Sequence, residues 1–151
     1  MSDETHHFQI DGSWTGDSES GSGYVAGSTG QIPLDFPVHL GGKEGKANPE
    51  ELLMQAVAGC YILTLINIAE RRKVPISRVD VKAEGDVVRQ AGGTLKFVAL
   101  RLHPRVTLKG ADDAQLTIAN DLAHKAEQYC TISNAIRGNV QITVEPEIVN
   151  G

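Results

Sequence analysis

The sequence has few cysteines, few aromatic residues and no excess of basic residues, and each shortage excludes a class of protein. Two cysteines in 151 residues are too few for a disulfide-stabilised scaffold or a four-cysteine zinc site. Aromatic residues make up 5% of the chain and the formal net charge is −5. The chain therefore lacks both the stacking surface and the basic face of a nucleic-acid-binding protein. The same charge argues against a polybasic membrane anchor.

Targeting and cofactor motifs are also missing. The first ten residues are acidic and polar, without the charged start and apolar run of a secretion signal, so we expect a cytoplasmic protein with free thiols. No glycine-rich nucleotide fingerprint or paired-histidine metal motif is present, so we expect no cofactor. Hydrophobic residues make up 40% of the chain, which is enough for a core, and residues 1–151 are predicted to form a single domain.

One long helix is strongly predicted. Asn48 is a good capping residue, Pro49 suits the first helical position, and Glu51 stands where a capping box requires an acidic side chain. The pattern predicts a helix from Pro49 to about Lys73, which Pro75 ends.

This helix is apolar on nearly all its faces, which is typical of a helix buried on every side or of a membrane span. Gln55, Thr64 and Asn67 interrupt the apolar run, so we expect a central, buried helix of a protein outside the membrane. A small chain cannot cover such a helix alone, and the pattern therefore predicts an obligate homodimer.

The remaining pattern predicts an α+β fold with mainly antiparallel sheets. Alternating apolar residues before the helix predict an N-terminal hairpin with its turn at 16–23 and a strand from Ile32 to Leu40. The later predicted elements are strands over 79–88 and 95–108, a helix from Asp112 or Asp113 to about Gln128, a short helix from Cys130 to Gly138 and a strand over 140–144.

The two cysteines allow three interpretations: two unrelated buried residues, a reactive pair, or one reactive thiol and one inert thiol. Cys60 lies within the apolar helix, where burial disfavours a thiolate. Cys130 lies at the start of a short predicted helix, whose free N–H groups favour the anion. On this argument Cys130 is at a reactive position and not merely a packed one.

Two motifs resemble those of the OsmC/Ohr family, the osmotically inducible protein C and organic hydroperoxide resistance proteins. Residues 48–53, Asn-Pro-Glu-Glu-Leu-Leu, followed by Ala58-Gly59-Cys60, are similar to the family's first cysteine motif. Residues 130–140, Cys-Thr-Ile-Ser-Asn-Ala-Ile-Arg-Gly-Asn-Val, resemble its C-P-x-S-N-A-x-R-G-N-V segment. Both motifs occur in the right order, and the likeness extends along essentially the whole chain.

The resemblance implies an intertwined homodimer with active sites at its interface and thiol-dependent reduction of organic hydroperoxides. It assigns Cys60 as the peroxidatic cysteine, Cys130 as the resolving cysteine and Glu50 as an active-site glutamate. It also implies an external dithiol reductant of the lipoyl-protein type. Ten helical residues span roughly 15 Å. If Glu50 acts at an active site, that site must therefore contain the partner's Cys60.

The chain departs from the resemblance at one position. Peroxidase members carry an arginine in the N-terminal strands, whereas this chain has no lysine or arginine before Lys43. His39 precedes the glycine loop, and we expect it to act as the replacement cation beside Glu50; a place on the surface or interface is the simpler interpretation. Arg137 is another candidate cation. The missing arginine leaves open an OsmC-fold protein that binds a ligand or senses oxidants without efficient turnover.

Overall fold

The computed structural model describes residues 3–151, and its contacts divide the chain into two compact units. The first unit ends at Leu52 and the second is Leu53–Gly151. The first two residues of the acidic N-terminal segment lie outside the described residues. The single-domain organisation of residues 1–151 stays a prediction.

The first unit contains a three-stranded antiparallel sheet. Its strands follow one another as β1 (Asp11–Thr15), β2 (Ser22–Gly27) and β3 (Gly30–Leu34). Trp14 and Gly23 are paired across the first hairpin, and a Cβ atom on Gly23 would lie 2.6 Å from the Trp14 ring, so only glycine fits there. The N-terminal hairpin predicted from the sequence is confirmed.

The predicted strand from Ile32 to Leu40 is wrong in its second half. The strand ends at Leu34, and residues 38–40 form one turn of 3-10 helix. The buried Asp35 explains the break, because its carboxylate accepts the backbone N–H of Phe36 at 2.8 Å and that of Lys43 at 3.1 Å. These hydrogen bonds close a loop over the intervening residues.

The long helix α1 (Pro49–Arg71) begins where the sequence predicts and ends two residues before the predicted end. Asn48 Oδ1 accepts the backbone N–H of Glu51 at 2.8 Å, which is the capping bond expected at this position. Beyond the helix, the backbone N–H of Val74 donates to the carbonyl of Ala69, and Pro75 follows.

The single chain buries one stripe of α1. Val57, Tyr61, Leu65 and Ala69 recur every four residues and are at most 1% exposed, whereas Leu63 is 73% exposed. The helix is long and apolar enough to cross a membrane, but core helices share that property. Its buried stripe belongs to the hydrophobic core of the second unit. Burial of its remaining faces by a second subunit stays a prediction.

The second unit is built on a mixed sheet. The hairpin β4 (Ile76–Arg89) and β5 (Leu95–Leu108) is antiparallel, whereas β6 (Gln141–Val144) and β7 (Glu147–Asn150) both pair parallel with β5. Two further helices, α2 (Asp113–Tyr129) and α3 (Thr131–Ile136), precede the last strands. The predicted α+β class is therefore confirmed, with β7 and the parallel pairs as additions.

The core lies between the sheet and the helices. Leu100, Leu102, Val106 and Leu108 of β5 are fully buried and pack with α1 and α2. The pairing register shifts between Asp86 and Val87, because Asp86 pairs with Ala99 and Val87 with Phe97. This bulge inserts one residue into β5; Phe97 packs against the core before it, and the even-numbered residues from Leu100 to Leu108 are buried after it.

Candidate active site

The two cysteines are brought together in the second unit. Cys60 lies in the middle of α1 and is partly buried, whereas Cys130 is fully buried. Cys130 is both the last capping residue of α2 and the first capping residue of α3, with an extended backbone at φ −70° and ψ 119°. The turn at Cys130 between α2 and α3 places the Cys130 thiol and the first residues of α3 beside Cys60.

The surroundings of Cys60 favour its thiolate. Burial by itself raises the pKa of this thiol, but four donors outweigh burial and hold the pKa below its usual value. In decreasing order of effect the donors are the Cys130 thiol, the backbone N–H of Ile132, the Thr64 hydroxyl and the backbone N–H of Thr131. Thr64 is one helical turn from Cys60, with 3.9 Å between its Oγ1 and the Cys60 Sγ.

The surroundings of Cys130 have the opposite effect. Burial is the main cause that raises the pKa of this thiol, and donation to Cys60 raises it further, although Ser133 lowers it in part. The backbone N–H of Ser133 donates to the Cys130 Sγ at 3.4 Å, so Cys130 caps its own helix. The buried Ser133 hydroxyl has no well-formed hydrogen bond within residues 3–151.

The predicted lowering of the Cys130 pKa is therefore wrong, because burial outweighs the donors of Ser133. The N–H groups at the start of α3 were expected to lower the pKa of Cys130, but those of Thr131 and Ile132 stabilise Cys60 instead. The sequence does not indicate that the N–H groups of Thr131 and Ile132 act on Cys60, because this depends on which part of the folded chain lies beside the start of α3.

Arg137 lies beyond Cys130 and pairs with an acidic residue of α2. Its Nη1 is 2.7 Å from Glu127 Oε1, and its guanidinium also donates to the Glu127 carbonyl at 3.2 Å and to Asn134 Oδ1 at 3.2 and 3.3 Å. The Glu127 side chain is 10% exposed. A charge buried to this degree requires a partner, and Arg137 supplies it as an ion pair at 2.7 Å, although the contact lacks hydrogen-bond geometry.

Glu50 lies in the first unit, beside an apolar cavity of about 200 Å³. The cavity lining consists of apolar side chains and two carboxylates: Trp14, Leu34, Asp35, Phe36, Pro37, Leu40, Pro49 and Glu50. The Glu50 Oε2 atom is buried and has no hydrogen-bond partner in the described part of the chain. Such an oxygen requires a donor from a ligand, a water molecule or another chain.

His39 lies in the 3-10 turn of the first unit and is exposed. Because residues 38–40 form a turn rather than the predicted strand, His39 does not occupy a strand face. His39 is not among the residues that line the Glu50 cavity. Its role as a replacement cation stays a prediction.

Metal chemistry finds no support in the side-chain clusters. Across residues 3–151, no three His, Cys, Asp or Glu side chains are grouped so as to hold a metal ion.

Sequence comparison identifies relatives along most of the chain. Residues 41–145 match the family described as OsmC-like protein. An uncharacterized protein of Bacillus subtilis, YmaD, is 31% identical over 97% of both chains. An organic hydroperoxide resistance protein of Xanthomonas axonopodis pv. citri is 33% identical over 74% of this chain and 75% of its own length.

Structural comparison agrees with the sequence matches. A crystal structure from Legionella pneumophila, described as an organic hydroperoxide resistance protein OsmC, superposes with a TM-score of 0.75 at 25% identity. The superposition covers 95% of this chain and 99% of that structure. The two cysteine motifs, the fold and the family match lead to the same conclusion: this chain belongs to the OsmC-like protein family.

Proposed function

We propose that this chain is a thiol peroxidase that reduces organic hydroperoxides through Cys60 and Cys130. The observation that carries the proposal is the position of the buried Cys130 thiol beside the partly exposed Cys60 thiol. Donors lower the pKa of Cys60, whereas burial raises the pKa of Cys130. A partly exposed thiolate beside a buried thiol is the arrangement that a two-cysteine peroxidase requires.

The reaction follows from these two roles. The Cys60 thiolate attacks the terminal oxygen of the hydroperoxide; an S–O bond forms and the O–O bond breaks. The alkoxide that leaves takes a proton from water and departs as an alcohol, and Cys60 becomes a sulfenic acid. The Cys130 sulfur then attacks the Cys60 sulfur, so that a disulfide forms, the S–O bond breaks, and the hydroxide takes the Cys130 proton and leaves as water.

A dithiol is required to close the cycle, because reduction of the protein disulfide oxidises the two thiols of the reductant to a disulfide. We propose a dithiol of the lipoyl-protein type as the reductant and the cytoplasm as the compartment, since free thiols persist in a reducing environment. The relatives named as organic hydroperoxide resistance proteins support an organic peroxide as the substrate. The apolar neighbours of Cys60 on α1 also favour an organic peroxide over hydrogen peroxide.

A homodimer is part of the proposal. Large apolar side chains are exposed in both units: Phe36 is 47%, Val38 58% and Leu63 73% exposed. A second copy that covers them would remove this apolar surface from water. In such a dimer we assign the Glu50 carboxylate, whose Oε2 has no partner within the described chain, and His39 as the replacement cation to the site of the partner's Cys60. Light scattering at micromolar concentration is the test, and a stable folded monomer would contradict the interfacial site.

An OsmC-fold protein that binds a ligand or senses oxidants is the second candidate function. It is favoured by the lack of lysine and arginine before Lys43, since that segment supplies no fixed cation to stabilise the Cys60 thiolate. The two candidate functions predict different rates of peroxide consumption after Cys60 has been oxidised once. A sensor forms the disulfide once per event, whereas a peroxidase turns over continuously with its reductant.

The experiment compares consumption of cumene hydroperoxide and hydrogen peroxide with dihydrolipoamide as the reductant. We expect sustained consumption of cumene hydroperoxide, much slower consumption of hydrogen peroxide and no consumption by Cys60→Ser. The matched control is Ser77→Ala, since the Ser77 hydroxyl is exposed and bonds only to the Thr107 carbonyl. A single turnover followed by arrest would favour the sensor, and no reaction with either peroxide would contradict both redox functions.

A further inference from the structure

The ion pair between Glu127 and Arg137 encloses the turn that carries Cys130. Glu127 lies three residues before Cys130 in α2, and Arg137 caps the end of α3. The Glu127 carbonyl accepts the backbone N–H of Cys130 at 3.3 Å and the Arg137 guanidinium at 3.2 Å. One carbonyl oxygen thus accepts hydrogen bonds from both the Cys130 backbone and the Arg137 side chain.

The arginine connects three points of this segment with one planar group. It contacts the Glu127 carboxylate at 2.7 Å, the Glu127 carbonyl at 3.2 Å and the Asn134 side chain at 3.2 Å. The first two contacts hold the end of α2 and the third holds α3, which has only six residues. So short a helix is marginal by itself and depends on such contacts. Lysine, with a single ammonium group, cannot reproduce the planar arrangement.

The position of this segment matters because of what it presents to Cys60. The Cys130 thiol and the backbone N–H groups of Thr131 and Ile132 lie close enough to Cys60 to lower the pKa of its thiol. Contacts to sulfur are weak and depend on distance. A small displacement of α3 would therefore remove several donors at once, although neither Glu127 nor Arg137 touches Cys60 in the contacts described above.

We propose that Glu127 and Arg137 are positioning residues that hold the Cys130 turn and the start of α3 against Cys60. The pair acts through the backbone rather than on the peroxide. This inference rests on the proposed function because it takes Cys60 as the reactive thiol. Its test uses thiol alkylation without peroxide, so the peroxidase activity can fail while the positioning role stands.

The experiment measures the rate of alkylation of the reduced protein by iodoacetamide from pH 5 to 10, with Cys60 and Cys130 quantified separately by mass spectrometry. Arg137→Ala is expected to raise the pH at which the alkylation rate of Cys60 reaches half its maximum, which is the Cys60 midpoint. It is also expected to slow the alkylation of Cys60 at pH 7 several-fold and to increase the alkylation of Cys130. Arg137→Lys is expected to fall between Arg137→Ala and the parent protein. Lys125→Ala is the matched control, because it breaks a 2.8 Å ion pair with Asp121 on the same helix α2, away from α3.

Arg137→Ala leaves a buried carboxylate without its partner and can therefore unfold the chain. The double variant Glu127→Gln with Arg137→Gln removes both charges and avoids this problem. It is expected to show the same upward shift of the Cys60 midpoint while its circular dichroism matches that of the parent. A folded double variant with the parental Cys60 midpoint, or an equal shift in Lys125→Ala, would overturn the positioning role.

Discussion

Replacement of Thr131 by proline removes one donor from Cys60 and leaves the backbone path intact. Thr131 is exposed and is the first residue of α3, the helical position that proline favours because its N–H has no partner within the helix. The preceding residue, Cys130, has φ −70° and ψ 119°, which is the extended conformation that a following proline requires. Proline lacks the backbone N–H, so Thr131→Pro deletes that donor alone.

The magnitude follows from the kind of contact that is lost. A hydrogen bond to a charged group contributes about 1.5–3 kcal/mol. Sulfur is a weak acceptor and Cys60 is partly exposed, so we expect about 1 kcal/mol, or about a fivefold change in the ionisation equilibrium. The sign is an increase in the pKa of Cys60. The thiolate fraction therefore falls at and below neutral pH, and the difference disappears where both proteins are fully ionised.

The assay is the pH dependence of Cys60 alkylation, followed peptide by peptide. Thr131→Ala is the control, because it removes the same exposed side chain and keeps the N–H. We expect Thr131→Pro to react about fivefold more slowly than Thr131→Ala at pH 7 and equally fast at high pH. Coincident profiles for these two folded variants would refute the claim that the start of α3 activates Cys60.

Three further predictions test other parts of the account. Cys130→Ser is expected to accumulate a Cys60 sulfenic acid that dimedone traps after one equivalent of cumene hydroperoxide, and absence of the adduct would contradict the resolving role. His39→Ala is expected to lower turnover between pH 6 and 9 and His39→Arg to raise it above neutral pH; equal activity of His39→Ala and the parent would remove His39 from the site. Tyr61→Phe is expected to destabilise the fold by about 1 kcal/mol in urea unfolding, because the buried Tyr61 hydroxyl donates to the Ala123 carbonyl, and unchanged stability would show that this bond contributes nothing.

The elements with strong local signals were predictable from the sequence. Asn48 and Pro49 define the start of α1, and Asp112 caps α2 with the reciprocal bonds to Gln115 that its spacing indicates. Strand β5 begins and ends at the predicted residues, Leu95 and Leu108. In each case the information lies within a few neighbouring residues, so no knowledge of distant contacts was required.

The errors concern features that are decided by side-chain hydrogen bonds or by pairing between strands rather than by apolar alternation. The alternation from Ile32 to Leu40 is a real pattern, but the Asp35 side chain folds the backbone into a turn instead. The final strand β7 is short and half-buried, and its parallel pairing with β5 depends on the path of the chain between them. Local patterns do not encode such pairings.

The candidate site was predictable only in part. The motifs around Cys60 and Cys130 resembled a known family, and the structure brings the two thiols together. Which thiol the start of α3 serves was not predictable, because the N–H groups of Thr131 and Ile132 belong to the segment of one cysteine and act on the other. The pairing of Glu127 with Arg137 was also not predictable, since it connects α2 with the end of α3 across the turn at Cys130.

Disulfide mapping after one equivalent of organic peroxide tests the central claim most directly. The fully reduced chain is treated with cumene hydroperoxide, its remaining thiols are alkylated, and non-reduced peptides are identified by mass spectrometry. Our account predicts one Cys60–Cys130 linkage within a chain, with loss of one equivalent of peroxide and gain of one equivalent of alcohol. Peroxide consumption that leaves both cysteines alkylated, or a disulfide only between separate chains, would contradict it.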